Sequence, residues 1–146
     1  MVANGLFLSK LVFLIQVWGG TQDYLIRTLQ VTQNKAMRAV TGLTWFTPTR
    51  VLLRKCDWLS VRQLISYHTV LLMHKTVITG NPVYVFDKVV TETNYNTRRQ
   101  VKFSQNFCYR GAILYNELPM DLTRTTNMAS FKKKLKNWVK TNIPVD

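Results

Sequence analysis

Apolar and polar residues recur along most of the chain with the period of an amphipathic helix. At 100° per residue, the apolar side chains that share one face of the clearest such segment are Leu25, Leu29, Ala36, Val40 and Leu43. Arg27, Asn34 and Arg38 fall almost opposite that face, Lys35 lies beside them, and no acidic residue is among them. The pattern predicts a helix with an apolar stripe toward the core and a basic ridge on the opposite side.

Capping residues, prolines and glycines divide the rest of the chain into further helices. The predicted helices cover about residues 5–18, Thr21 to Thr41–Gly42, TRVLLRKC after Thr47–Pro48, the segment from the Ser60 cap to Gly80, VYVFDKVV after Asn81–Pro82, FCYRGAILYNEL up to Pro119, and the segment from Thr126 or Asn127 to about Thr141. The polar stretch at about 91–106 has no helical stripe and best fits a loop with a short strand at Gln100–Phe103. We therefore expect a mainly α fold, an irregular bundle of about six or seven helices.

Two polar residues fall inside predicted apolar faces. The inward face of the helix after Ser60 is predicted to comprise Val61, Leu64, Ile65, His68, Leu71 and Leu72. His68 lies in the middle of that stripe, which favours a hydrogen-bonded core histidine over a metal ligand. Gln33 also points into an apolar sector, and the sequence does not identify its partner.

The first predicted helix is apolar on nearly every side between Leu6 and Trp18. This run is shorter than the roughly 20 apolar residues that span a bilayer. It has no basic segment before it and no small-residue cleavage site after it, so it does not have the pattern of a secretion signal. We expect a buried helix whose neighbours are either the rest of this chain or sequence upstream of it.

Charge is the strongest compositional signal. Twenty Lys and Arg against seven Asp and Glu give the 146 residues a net charge of +13. An excess of this size is typical of proteins that bind a polyanion, either nucleic acid or an anionic membrane surface, although a basic surface without a partner is also possible. The length suits a single domain.

The last predicted helix concentrates this charge. Its apolar face is formed by Phe131, Leu135, Trp138 and Val139. Lys132, Lys136 and Lys140 form an i, i+4, i+8 row, and Lys133 is adjacent. Three interpretations fit the pattern: a solvated amphipathic helix, a row of cations along phosphates, or a helix on a membrane surface.

A second group of cations lies in the polar stretch. Arg98 and Arg99 follow Asn94, Tyr95 and Asn96, residue types that contact phosphate, sugar and stacked bases. Exposed arginines are also ordinary in loops, so this group alone is a weak signal.

Catalytic and metal-binding patterns are sparse. Cys56 and Cys108 form no C-x-x-C motif and no disulfide framework, and His68 and His74, about 240° apart on a helix, cannot bind one ion from one face. The seven acidic residues are scattered, and no glycine-rich phosphate loop or G-x-S-x-G motif is present. We expect no metal site, no cofactor and no independent enzyme.

One ordered series of phrases is more specific than any of these features. The series is VWGG, DYL, LQVTQNKAMRAVTG, TPTRVLLRKCDWLSVRQL, YNTR, YRGAILYNELP and FKKKLKNWVK. In this order and spacing, from about Gly5 to Val145, it resembles the C-terminal part of reverse transcriptase polyproteins from non-LTR (LINE-type) retrotransposons of animals. Each phrase is weakly specific alone.

The resemblance implies a region downstream of the polymerase palm, with residues 1–80 as thumb-like helices and 81–146 as a basic C-terminal extension. It implies a truncated, non-catalytic fragment that holds template RNA and primer DNA by the backbone, because nothing here matches the palm aspartates. The cations that would contact phosphate are Arg27, Lys35, Arg38, Arg98, Arg99, Lys132, Lys133, Lys136 and Lys140. We expect an intracellular protein, nuclear or cytoplasmic and not secreted. The alternative is a helical protein-interaction module, docked through its first helix, or a relic without activity.

Overall fold

The computed structural model describes residues 7–13, 15–81, 83 and 107–145. The helices are α1 (Ser9–Val12), α2 (Ile15–Trp18), α3 (Asp23–Thr41), α4 (Thr49–Cys56), α5 (Val61–Thr79), α6 (Phe107–Asn116), α7 (Met120–Thr123) and α8 (Met128–Asn142). No strand occurs among the described residues. The predicted all-α class is confirmed, whereas the predicted helix at VYVFDKVV, the loop at 91–106 and its short strand lie almost wholly outside the described residues.

Helix α5 is the centre of the bundle and packs against α2, α3, α6 and α8. Its ends follow the sequence signals, because Ser60 and Gln63 form a reciprocal capping box and Gly80 ends the helix in the left-handed conformation, with φ of 65°. The close approach of α6 depends on Gly111, where an added Cβ would lie 2.7 Å from Met73 Cε and 3.0 Å from Thr69 Cγ2. A glycine at this point therefore lets the two helices touch.

A smaller apolar cluster lies between α3 and α4. It contains Met37, Leu52, Leu53 and Trp58, all buried. The ring of Phe7 stacks on Trp58 with centroids 6.0 Å apart and planes 4° apart. This cluster holds α4 against α3 beside the larger core around α5.

The predicted inward face of α3 is only partly right, since Leu29 and Leu43 pack partly buried against the core clusters. The buried residues are Ile26, Gln30, Gln33 and Met37, whereas Leu25 and Val40 are 40% and 49% exposed. The two glutamines are buried because the residues around the start of α5 give them partners. Gln33 Nε2 donates to the Leu59 carbonyl at 2.8 Å, and Gln30 Oε1 accepts from the Val61 amide at 2.8 Å. With these bonds made, the observed buried face of α3 lies about a quarter turn around the helix from the predicted apolar stripe.

The predicted first helix is interrupted at Phe13, where the backbone leaves the helical conformation after α1. Leu11 and Ile15 are buried in the main core, while Phe13 between them is 71% exposed. The α2 segment packs on α5, and the Gly19 amide donates to the Ile15 carbonyl at 2.8 Å. The rest of the chain therefore provides the packing partners of Leu11 and Ile15.

The buried histidine is His74, whereas His68, the predicted one, is only half-buried. His74 is 0% exposed and its ring stacks on Phe131 with centroids 3.5 Å apart. Its Nε2 donates to the Thr125 carbonyl at 2.9 Å, and its Nδ1 lies 3.1 Å from the Tyr115 hydroxyl. A carbonyl only accepts, so neutral His74 carries its proton on Nε2, and Nδ1 accepts from Tyr115.

Acid should destabilise the fold through this histidine. Burial lowers the pKa of His74 below the ordinary value of 6.5, although the bond to Thr125 opposes the shift. The histidine of the unfolded chain is then protonated at a higher pH than that of the folded chain. The stability that neutral His74 contributes is therefore fully present above the ordinary pKa and is lost as the pH falls below it. We expect urea denaturation of the wild type to show a loss of up to about 1.4 kcal/mol per pH unit per histidine as the pH falls below about 6.5.

The variant His74→Gln should be less stable at neutral pH and should show a shallower dependence on pH. His68→Gln is the companion variant, because burial and then Lys132 also lower the pKa of His68. An unchanged pH slope in His74→Gln would contradict this assignment.

Candidate nucleic-acid interface

One carboxylate joins the end of α4 to the basic side of α8. Asp57 ends α4 in the left-handed conformation, with φ of 54°, which aspartate tolerates better than most residues. Its carboxylate accepts from Lys136 Nζ at 2.5 Å and from Lys140 Nζ at 2.6 Å. The hydrogen bonds from Lys136 and Lys140 lower the pKa of Asp57. The contacts join α8 to the end of α4, but ion pairs this exposed contribute little to stability, and α8 is held mainly by its packing on α5.

The same two helices border a surface pocket of about 520 Å³, here called the α4–α8 cleft. Arg50 and Arg54 line it from α4, and Lys140 lines it from α8. The remaining lining residues are Leu53, Trp58, Gln63, Thr141, Ile143, Pro144 and Val145. Gln63 Nε2 donates to the Ile143 carbonyl at 2.8 Å and so holds the residues after α8 along the cleft. The cleft therefore gathers cations from two helices that are far apart in sequence.

The predicted lysines on α8 divide into two groups. Lys132 and Lys133 are exposed, as is Lys134 between this pair and Leu135. Lys136 and Lys140 are shared with Asp57, so the lysine row has an acidic partner that the helix sequence itself does not contain. Repulsion between Lys136 and Lys140 is reduced by that carboxylate.

The predicted cations on α3 occupy a different setting. Arg27 and Lys35 are exposed, and Arg38 is half-buried. Arg38 Nη2 donates to the Thr47 carbonyl at 3.3 Å, and its guanidinium lies 5.2 Å from the centre of the Trp45 ring. Arg27, Lys35 and Arg38 are not among the described residues that line the α4–α8 cleft. Arg98 and Arg99 lie outside the described residues.

Two features of this surface were missed by sequence reasoning. Arg50 and Arg54 have the i, i+4 spacing that places side chains on one helix face, and this signal was present in TRVLLRKC. Trp45 and Phe46, in the turn between α3 and α4, are 69% and 90% exposed. Neighbouring aromatic residues in a turn gave no periodic pattern by which to recognise them.

Other site types find little support in the described segments. Within them, no group of three or more His, Cys, Asp and Glu residues could hold a metal ion. Helices that combine the length and apolarity needed to cross a bilayer are also lacking there. Cys56 and Cys108 are free thiols, and burial raises the pKa of the Cys56 thiol.

Comparison of the chain with protein-family models, curated proteins and solved structures found no match. By its fold and composition, the chain is a mainly α-helical and strongly basic protein.

Proposed function

We propose that the chain binds nucleic acid through the sugar–phosphate backbone, without sequence preference and without catalysis of its own. It would act as the helical, post-palm part of a reverse-transcriptase-like protein of the non-LTR retrotransposon type. The observation that carries the proposal is the α4–α8 cleft, where Arg50, Arg54 and Lys140 lie together in a chain of net charge +13. Cations grouped on one surface can neutralise successive phosphates and release counterions.

The exposed aromatic pair supports a single-stranded ligand. Trp45 and Phe46 lie in the turn that precedes α4, and Arg38 lies beside the Trp45 ring. Proteins that bind single strands combine a basic groove with exposed aromatic rings on which bases stack. The chain has both components, and the turn with the aromatic pair directly precedes α4, one of the two helices of the cleft.

The salt dependence of binding tests the proposal. If about five phosphates are contacted, the logarithm of the affinity for a duplex should fall with the logarithm of salt concentration at a slope of about −4 to −5. Fluorescence anisotropy with labelled RNA and DNA oligonucleotides measures that slope. A slope near zero with both nucleic acids would refute the proposal.

Trp45→Ala should weaken binding to a single-stranded oligonucleotide by about 1 kcal/mol, or roughly fivefold. This value is at the low end of the range for base stacking, because Arg38 already contacts the Trp45 ring. A change in the folded state is not expected, since the side chain is mostly exposed. Anisotropy with single strands and with duplex distinguishes the ligands: the loss should be confined to the single strand. An equal loss with duplex would argue against stacking.

A protein-interaction module is the alternative, favoured by exposed apolar side chains. Phe13, Val83 and Met120 are 71%, 60% and 72% exposed. Apolar association strengthens or persists at high salt, whereas phosphate binding weakens. Self-association that survives high salt in size-exclusion chromatography, without affinity for oligonucleotides, would favour this alternative.

A further inference from the structure

A second pocket lies on another part of the bundle and belongs to neither α4 nor α8. Its volume is about 410 Å³, within the range of small-molecule sites, and it is bordered by the turn after α2, by α3, α5 and α6. Its apolar lining includes Ile26, Ile65, Ile113 and Leu114. Its polar lining includes Asp23, Arg62, Ser66, Thr69 and Arg110.

Arg110 is incompletely bonded in this pocket. Its Nη1 donates to the Gly19 carbonyl at 2.5 Å, while Nε and Nη2 are buried without a hydrogen-bond partner among the described residues. Nε and Nη2 lie on one edge of the planar guanidinium, the edge that binds two oxygens of an oxyanion through parallel hydrogen bonds. Burial also lowers the pKa of Arg110, which reflects the cost of a charge removed from water.

A hydroxyl that lines the pocket from α5 is also unsatisfied. Thr69 is 1% exposed and lines the pocket, and its Oγ1 has no hydrogen-bond partner among the described residues. Unsatisfied buried donors are costly, and a charged donor costs more than a neutral one. Two independent groups in one pocket thus lack an acceptor.

The charge of the pocket selects among oxyanions. Arg62 Nη2 donates to Asp23 Oδ1 at 3.1 Å, so these two charges offset each other and Arg110 contributes one net positive charge. A carboxylate carries one negative charge, whereas a phosphate monoester carries about −1.5 to −2 at neutral pH and would meet the Asp23 carboxylate with excess charge. The isoleucine and leucine side chains favour an apolar body on the ligand.

We propose that this pocket binds a small apolar carboxylate, whose oxygens accept from Nε and Nη2 of Arg110 and from the hydroxyl of Thr69. This site is separate from the proposed nucleic-acid interface and does not depend on it.

Benzoate is the probe, with benzamide as the neutral analogue and inorganic phosphate as the alternative oxyanion. NMR titration of the full chain should show saturable benzoate-induced shifts of the Arg110 Nε–H signal, assigned by its disappearance in Arg110→Lys. Benzamide and phosphate should bind more weakly. Arg110→Lys keeps the charge but loses the two-pronged edge, so its affinity for benzoate should fall about tenfold.

Thr69→Val separates ligand binding from a merely structural role. It removes the unsatisfied hydroxyl, so the free protein should not lose stability, yet benzoate affinity should fall. Both variants should bind RNA as the wild type does. The proposal is overturned if no saturable shift occurs, if benzamide binds as well as benzoate, if phosphate binds more tightly, or if Arg110→Lys leaves benzoate binding unchanged.

Discussion

Replacing Arg50, Arg54 and Lys140 together with glutamine is expected to weaken duplex binding about a hundredfold at about 0.15 M salt. Each of the three side chains lines the α4–α8 cleft. Each lost phosphate contact lowers the magnitude of the salt slope by about 0.9, so the slope should become shallower by about 2.7. Anisotropy titrations at several salt concentrations measure both quantities.

A second triple variant separates the cleft from bulk charge. Lys10, Lys75 and Arg124 are exposed and lie outside the cleft, so their replacement with glutamine removes the same net charge. A general attraction between a basic protein and a polyanion would weaken equally in both variants. The cleft account requires the larger change in affinity and in salt slope for the variant in Arg50, Arg54 and Lys140. Both variants should keep the wild-type circular dichroism spectrum, because none of the six side chains is buried.

The helices with local boundary signals could be predicted from the sequence. Ser60 and Gln63 form the capping box, Gly42 and Gly80 end their helices in the left-handed conformation, and Asn127 caps α8 by accepting from two backbone amides. Such contacts join residues only a few positions apart. The pattern of the chain therefore contains both partners of each contact.

Which side of each helix is buried could be predicted less well, since it depends on partners that are distant in sequence. Gln33 bonds to a carbonyl 26 residues away, and Gln30 bonds to an amide 31 residues away. The pattern places Gln33 in an apolar sector but identifies no partner for it, because the partners of both glutamines, at Leu59 and Val61, are distant in sequence. His74 is a similar case, because its partners come from α6 and from the residues that follow α7.

The candidate site was partly predictable for the same reason. The lysines of α8 could be identified from spacing within one helix. Their shared carboxylate could not, because Asp57 lies 79 residues before Lys136 and 83 before Lys140. The cleft itself lies where α8 comes beside Arg50 and Arg54 of α4, which are far from α8 in sequence.

Asp57→Asn should strengthen binding, an unusual direction for a substitution at a binding surface. The change releases Lys136 and Lys140 from their carboxylate partner and removes one negative charge beside the cleft. Asparagine accepts the left-handed conformation at this position, so the end of α4 should be preserved. Lys140 already counts among the cleft contacts, so if Lys136 alone gains a phosphate contact, affinity for duplex should rise roughly fivefold at about 0.15 M salt.

Asp121→Asn is the matched control, because Asp121 is exposed, lies outside the cleft and contributes the same charge. The most direct measurement of the central claim is the duplex affinity of these two variants beside the wild type across a range of salt concentrations. The account predicts tighter binding and a steeper salt slope for Asp57→Asn, with a clearly smaller change for Asp121→Asn. Equal effects of the two substitutions, or weaker binding by Asp57→Asn with an intact fold, would contradict a phosphate-binding cleft between α4 and α8.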